Sequence, residues 1–423
     1  MRARTAARVV PPCPRHPCPP PACAFAAPLA FAVLLALATP ARSQGTPAAP
    51  GPAAGRCGVC HPAERVQFET SSHAREQVRC VSCHGGDDRS LEQGVAHGSG
   101  FRGRPTRAAI PALCASCHSS EQRMRAYNLP VDQFALYQTS GHGVRLARGE
   151  TRVAVCSDCH GAHDILSPAD PGSRVFPANI PRTCGRCHGD STVVTHKDAV
   201  FAEYSRSVHA QALLDRGNLR APTCVSCHGV HGAAPPAVGD VDKVCGHCHT
   251  AERRYLNAGE HRTGDRGGPE CSTCHGAHGI VAARPERLPE SCVECHKAGS
   301  PEVSLGQRVW SEYRGAAEAV EKAAAMAGRA EAVPINTDDY RARLEEAKTY
   351  LREALPAAHS VREDLVGGFT ARALSVAHEV ESELEHKLGH LEVRRYVLIL
   401  FWFYLLLTIL VLLRFQRRGA GRA

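Results

Sequence analysis

The pattern of apolar and polar positions divides this 423-residue chain into regions of different character. Residues 302–331 are Ala-rich around Arg314-Gly-Ala-Ala-Glu-Ala-Val-Glu-Lys-Ala-Ala-Ala-Met326, and their strong helix formers predict a helix. Pro334 interrupts it. Asn336-Thr-Asp-Asp339 offers capping residues to a second helix, which runs through Leu344, Tyr350 and Leu351 to Pro356. A third helix is predicted over about 357–393, with Leu365, Leu374, Val380, Leu384, Leu388 and Leu391 on one broad face. Its charged residues Glu379, Glu381, Glu383, Glu385 and Lys387 read as a solvated face. The next stretch, Tyr396–Leu413, carries no charge and is just long enough to cross a bilayer. Trp402 and Tyr404 lie inside it and Tyr396 at its edge, as interfacial aromatics do. The competing reading is a buried core helix. A span is expected, with Arg414, Arg417, Arg418 and Arg422 in a basic cytoplasmic tail over 414–423.

Residues 57–300 show no such periodicity. Apolar runs are short, and Gly and Pro are scattered throughout. At the other end, Arg2, Arg4, Arg8 and Arg15 precede an apolar run, Ala22–Ala38, and Ala41-Arg-Ser43 offers a cleavage site. Residues 1–43 therefore read as an export signal, although Pro11–Pro21 is unusual in one, and an N-terminal membrane anchor is the competing reading. Residues 44–56 are a Pro/Ala/Gly linker expected to be flexible.

The chemistry is concentrated in 57–300. Nine Cys-x-x-Cys-His motifs occur there: Cys57/Cys60/His61, Cys80/Cys83/His84, Cys114/Cys117/His118, Cys156/Cys159/His160, Cys184/Cys187/His188, Cys224/Cys227/His228, Cys245/Cys248/His249, Cys271/Cys274/His275 and Cys292/Cys295/His296. This spacing reads as covalent c-type haem attachment, nine haems in all. Two sulfurs hold the porphyrin and the histidine ligates iron from the proximal side. Zinc sites also use Cys-x-x-Cys pairs, but they do not need a His after every second Cys. Disulfides leave the nine histidines unexplained. Of 21 Cys, only Cys13, Cys18 and Cys23 lie outside the motifs, all within the expected signal. With about 27 residues per motif, the polypeptide is expected to wrap the porphyrins in loops and short helices.

The motifs sit in a repeat. Three are followed by Gly-x-His, ending in His163, His231 and His278. Each of these is followed by a plain motif, ending in His188, His249 and His296. An aromatic and a single His precede each pair: Tyr137…His142, Tyr204…His209 and Tyr255…His261. A degenerate first copy has Phe68…His73, then the motifs ending in His84 and His118, with Asp87 at the Gly-x-His position and His97 as its substitute. Cys57–His61 opens the array. Over 57–296 the chain resembles the doubled-CxxCH multihaem cytochromes c, and its aromatic-x-x-Ser-x-His element is similar to that of penta- and octahaem relatives of nitrite reductase and hydroxylamine oxidoreductase. In those families such histidines are the second axial ligands of neighbouring haems. The resemblance also implies a helical segment after the last haem.

The histidine inventory gives candidate distal ligands for eight haems: His73, His97, His142, His163, His209, His231, His261 and His278. The ninth is expected from the helical region, with His359 and His378 ahead of His386 and His390. His196 and His247 are further candidates. The end motifs, Cys57–His61 and Cys292–His296, are the best places for a haem lacking a distal His.

Iron held by imidazole on both faces has no vacant position, so it passes electrons and binds no substrate. The formal charge of +8 falls to +3 without residues 1–43. Eighteen propionates would take it to roughly −15, and no nucleic-acid module is visible. The expected fold is mostly α with extensive loops: a multihaem cytochrome c domain wrapped around stacked haems (57–300), a helical segment (301–395) and one C-terminal transmembrane helix (396–413). The expected function is electron relay between a quinol-oxidising membrane system and periplasmic acceptors. The partners would be a membrane quinol dehydrogenase or cytochrome b-type subunit, periplasmic redox proteins and the lipid bilayer. The expected location is the cytoplasmic (inner) membrane of a bacterium, haem domain facing the periplasm, with the span keeping the haems near the quinone pool. The alternative is a multihaem oxidoreductase acting on nitrite, hydroxylamine or tetrathionate. Nitrite reductases commonly carry CxxCK at the active haem, whereas every motif here ends in His.

Overall fold

The computed structural model describes residues 54–193, 200–237, 240–262 and 268–420. The expected signal, most of the linker, and His196 lie outside the described residues. Among those described, the chain is mostly helical and has no strand.

Between 57 and 296 no described helix exceeds nine residues. Four motifs form matching five-residue helices: Cys80–His84, Cys156–His160, Cys224–His228 and Cys271–His275. Each starts with a side chain folded back on the residue before the first cysteine. Ser82, Asp158, Ser226 and Thr273 accept from the backbone N–H of Arg79, Val155, Thr223 and Glu270, satisfying a donor that the short helix leaves open. Each ends on a glycine with positive φ: Gly85 (+70°), Gly161 (+88°), Gly229 (+85°) and Gly276 (+74°). A side chain is strained in that conformation. At Gly161 a Cβ would also lie 2.3 Å from Asp164 Oδ1. The plain motifs enter differently. Pro111, Pro181 and Pro289 occupy first-turn positions ahead of Cys114, Cys184 and Cys292, where a missing N–H costs nothing.

Three long helices follow: α1 (Pro301–Ala330), α2 (Asp338–Ala357) and α3 (Glu363–Ala420). They pack on one seam. Ala316, Val320, Ala323, Ala327 and Ala330 of α1 meet Tyr340, Leu344, Ala347 and Leu351 of α2 and Ala373, Ala377, Val380 and Leu384 of α3, all buried. The alternating steps of four and three are those of a coiled-coil seam. Alanine at most seam positions lets the backbones approach closely. The ends differ from expectation by small amounts. α2 starts at Asp338, where Asn336 Oδ1 accepts from the Asp338 N–H, and Pro356 sits in its last turn. α3 starts at Glu363, because Ala358–Ser360 forms a separate 3-10 turn and Val361 adopts a left-handed conformation.

The motif region meets one end of this bundle. Tyr255 and Leu288 pack with Val309, Ala354, Ala357 and Val366. A Cβ on Gly306 would lie 2.9 Å from Cys292 Sγ, so α1 passes close against the ninth motif. At the far end, Pro334 of the α1–α2 turn shares an open cleft with Leu391, Arg394, Arg395, Leu398, Ile399 and Trp402. From Tyr396 to Leu413 nearly every large apolar side chain of α3 is exposed. That segment is long and apolar enough to cross a membrane.

Candidate functional site

The nine motif histidines each face one other histidine. The pairs are His61–His97, His73–His118, His84–His163, His142–His188, His160–His231, His209–His249, His228–His278, His261–His296 and His275–His359. Their ring centroids lie between 6.0 Å (His228–His278) and 6.4 Å (His209–His249 and His261–His296). Rings in direct contact elsewhere sit much closer, at 4.3 Å for His97–Phe101 and 4.4 Å for His386–His390. The nine pairs therefore hold a uniform gap. A metal–imidazole bond is about 2 Å long and the ring centre stands about an ångström behind the nitrogen, which gives roughly 6 Å across one metal ion.

The pairing follows the repeat with a simple rule. The histidine ahead of each motif pair reaches forward to the plain motif of its own repeat: His73 to His118, His142 to His188, His209 to His249, His261 to His296. Each Gly-x-His reaches back one repeat: His163 to His84, His231 to His160, His278 to His228. The last such motif, at His275, has no following repeat. His359, from the turn between α2 and α3, takes that place. His97 closes the other end on His61.

Local sequence aims the forward-reaching rings. Ser71, Ser140 and Ser207 are fully buried two residues ahead of the histidine. Each caps the helix that carries it, accepting from Ala74, Gly143 and Ala210 N–H at 3.1, 3.0 and 3.1 Å. Tyr137 and Tyr204 donate their hydroxyls to the carbonyls of Ala154 and Pro222, two residues before a motif cysteine. The residue just before each histidine donates its N–H to the next repeat: Ser72 to Ile165, Gly141 to Ala233, Val208 to Ile280. The fourth copy departs from this. Gly259 replaces the serine because Ser360 presses on it, and a Cβ there would lie 2.4 Å from the Ser360 carbonyl oxygen.

Several rings are oriented through their other nitrogen. His84, His228 and His359 place Nδ1 at 2.9, 3.2 and 3.1 Å from the carbonyls of Gly103, Ala234 and Pro356. That bond leaves Nε2 free toward the facing ring, the arrangement metal-ligating histidines use. Burial pushes His73, His118, His142, His160, His209, His231, His261 and His275 below the usual imidazole range, with help from the facing ring at His73, His142, His160, His209, His261 and His275. These rings stay neutral and available as ligands.

The remaining candidates are placed elsewhere. His378, offered above as a distal ligand, is exposed on α3, and the position opposite His275 is filled by His359. The ring of His378 points away from the seam that Ala377 and Val380 bury. His247 is also exposed. His386 and His390 touch each other one turn apart on α3, Nε2 to Nε2 at 3.3 Å. Both end motifs, named above as the best places for a haem without a distal His, have a facing ring. Among the described residues no group of three or more His, Cys, Asp or Glu converges as metal ligands; the donors come in twos. A haem needs two axial donors and two cysteines, and each motif with its facing ring supplies that set.

The cysteines put the sites in order. The first cysteines are hydrogen-bonded in the pairs Cys57/Cys80, Cys114/Cys156, Cys184/Cys224 and Cys245/Cys271. The second cysteines approach in the alternate pairs Cys83/Cys117, Cys159/Cys187, Cys227/Cys248 and Cys274/Cys295. Each motif thus neighbours the one before it and the one after it through opposite cysteines, and the nine sites follow one another in chain order. The sequence signals for the local build of the motifs were the Ile/Leu-Pro-x-x-Cys entry ahead of Cys114, Cys184 and Cys292 and the Ser82, Asp158, Ser226 and Thr273 inside four CxxCHG motifs, neither of which the motif reading used.

The motif cysteines are unequally exposed. Five of the nine second cysteines, Cys60, Cys227, Cys248, Cys274 and Cys295, are exposed, whereas the other four and all nine first cysteines are half-buried. The first motif helix ends on Cys60 itself. The helices Val241–Cys245 and Leu288–Cys292 end on the first cysteine, which leaves Cys248 and Cys295 in the following turn, their N–H groups donating to the carbonyls of Cys245 and Cys292 at 3.2 and 3.3 Å. Cys117 and Cys187 sit in the last turn of Ile110–His118 and Ile180–His188. Cys117 Sγ also accepts from the exposed Arg123 guanidinium at 2.9 Å, a polar contact that the motif reading did not foresee. Every exposed motif cysteine is the second of its motif.

No protein-family model matches this chain, and no solved structure matches it.

Proposed function

We propose that the chain is a membrane-anchored nonahaem c-type cytochrome that relays electrons. The observation that carries the reading is the set of nine imidazole pairs, each with one CxxCH histidine and a gap of one metal ion. Haem c bound at each pair would supply one-electron chemistry between ferric and ferrous iron. The residues of the chain do the rest. Eighteen cysteines would fix the porphyrins, with the edge held by Cys60, Cys227, Cys248, Cys274 and Cys295 turned toward solvent. Paired imidazoles would fill both axial positions. The alternating cysteine contacts would keep consecutive sites adjacent, so that an electron has a single-file path between the His61–His97 end and the His261–His296 end.

The apolar segment of α3 supports anchorage in a lipid bilayer, and the expected export signal places the motif region on the outer, periplasmic side of the cytoplasmic membrane. The arginines after Leu413 suit a cytoplasmic tail. On this reading the donors and acceptors are a membrane quinol dehydrogenase or cytochrome b-type subunit and periplasmic redox proteins.

The test is a haem count joined to a spin-state count. Purified protein should contain nine covalent haems per chain by pyridine haemochrome, and electron paramagnetic resonance should show low-spin ferric iron throughout. A high-spin centre that binds nitrite or cyanide at low concentration would favour the oxidoreductase reading. A folded product without pigment would refute both.

A further inference from the structure

The bundle sets a distance that bears on how electrons arrive, given the membrane-anchored reading above. The contacts that join the motif region to the bundle lie at one end of it. Tyr255 and Leu288 pack with Val309, Ala354, Ala357 and Val366. Cys292 abuts Gly306. His359 faces His275 from the α2–α3 turn. The seam from Ala316 to Ala330 and from Ala373 to Leu384 is packed by α1, α2 and α3 against one another. The apolar run of α3 begins at Tyr396, beside Arg394 and Arg395, and the α1–α2 turn meets that same level through Pro334. At 1.5 Å per residue, α3 rises about 50 Å from Glu363 to Tyr396. The bundle is therefore a spacer. The imidazole pairs attached to it, His275–His359 and His261–His296, are held far above the level at which a bilayer-dissolved quinol is confined. An electron does not tunnel through protein over such a length in one step.

We propose that this chain does not take electrons from the bilayer directly, and that a second redox protein, with a cofactor of its own, stands on the membrane beside α1–α3 and spans the gap to the bundle-mounted pairs. The balance is simple. A quinol at the membrane loses two electrons and two protons to become quinone. The protons leave to solvent. The second protein passes the electrons on singly, each reducing one ferric centre of this chain to ferrous. The partner's chemistry is fixed by the span: a quinol-oxidising part in the membrane and a carrier part roughly as tall as the bundle. Our expectation that the anchor keeps the haems near the quinone pool is replaced by the opposite role, a fixed stand-off.

Two measurements test this on the full-length, haem-loaded protein. In lipid nanodiscs, electron microscopy should place the motif region about 50 Å above the bilayer surface, at the end of a narrow stalk. Density of that region lying on the lipid would overturn the proposal. In liposomes holding only this chain and long-chain menaquinol, the ferrous absorption bands should fail to develop, while dithionite develops them fully. In the source cell's own membranes the same quinol should reduce the chain. Reduction in the liposomes at the rate seen in native membranes would overturn the proposal, and so would failure of reduction in the native membranes. Absence of pigment, by contrast, would be a failure of the cytochrome reading itself.

Discussion

His275 and His359 face each other with ring centroids 6.1 Å apart and ring planes 28° apart, although one belongs to the last CxxCHG motif and the other to the turn between two bundle helices. The ring of His359 is held by Nδ1 against the Pro356 carbonyl at 3.1 Å. Its turn is held in turn by Ser360, fully buried, whose hydroxyl donates to Ala357 and accepts from the Arg362 N–H. On the proposed haem reading the bundle would thereby donate a ligand to the array as well as mount it. His359→Ala should convert one iron centre of the nine from low spin to high spin and leave the other eight. His378→Ala should convert none. Electron paramagnetic resonance with cyanide titration reads both, and an unchanged spectrum for His359→Ala would remove this assignment.

The buried serines make a second, separable prediction. Ser140 accepts from Gly143 N–H and donates to the Tyr137 carbonyl at 2.6 Å, holding the first turn of the helix that carries His142. Ser140→Ala should cost about 1 kcal/mol through the lost cap. In a region the size of 57–300 that lowers the melting temperature by about 2–4 °C. The signal of one low-spin centre should also shift or broaden, since His142 loses its fixed angle toward His188. A melting shift with no spectral change would mean that the cap stabilises without aiming the ring.

How much of this was legible beforehand differs by region, for physical reasons. The motif spacing is explicit in the sequence, so the nine CxxCH motifs could be read directly. The exposure of Cys60, Cys227, Cys248, Cys274 and Cys295 could not, because the cover over a sulfur comes from neighbouring segments of the folded chain. The distal histidines could be read as a set because they recur at fixed repeat positions. Their pairing could not, because a ring's partner is decided by chain reversals such as those at Gly85 and Gly161, which a repeat pattern does not express. His359 lies outside every repeat, and only the backward rule of His163, His231 and His278 points to it. In the bundle, the apolar face read for α3 included Val380 and Leu384, which are in the seam, and Leu374 and Leu388, which pack against it partly buried; it did not include Ala373 and Ala377, which complete the seam. Alanine is a strong helix former wherever it sits. Its role as a close-packing residue shows only once the neighbouring helix is in place.

That seam can be tested from both directions of volume. Leu384 is fully buried, and Leu384→Ala should destabilise the bundle by about 2–5 kcal/mol through lost transfer energy and the cavity left behind. Ala377→Leu should also destabilise, by about 1–3 kcal/mol, because there is no room for added methylenes between closely approaching backbones. Urea unfolding followed by circular dichroism reads both. A neutral Ala377→Leu would mean that the helices are not packed as tightly as the alanine seam implies.

The last prediction concerns what holds 57–296 together. Its short helices bury little apolar surface of their own, and the one core cluster formed within it alone is Phe68 with Ala74, among the described residues. The bundle, in contrast, has a continuous apolar seam from Ala316 to Leu384. A chain of this length that cannot bury enough apolar surface does not offset the entropy of ordering its backbone. In the motif region the missing buried surface would be porphyrin, and the missing cross-links would be the thioether and iron bonds, so cofactor binding and folding are one event. Chain made in cells that cannot attach haem should therefore keep the helical bundle and lose the motif region. Limited proteolysis should leave a resistant fragment beginning near Pro301, and circular dichroism should retain the signal of α1–α3. A protease-resistant 57–296 in the pigment-free chain would show that this region folds on contacts of its own, and the cytochrome reading would then lose its structural basis.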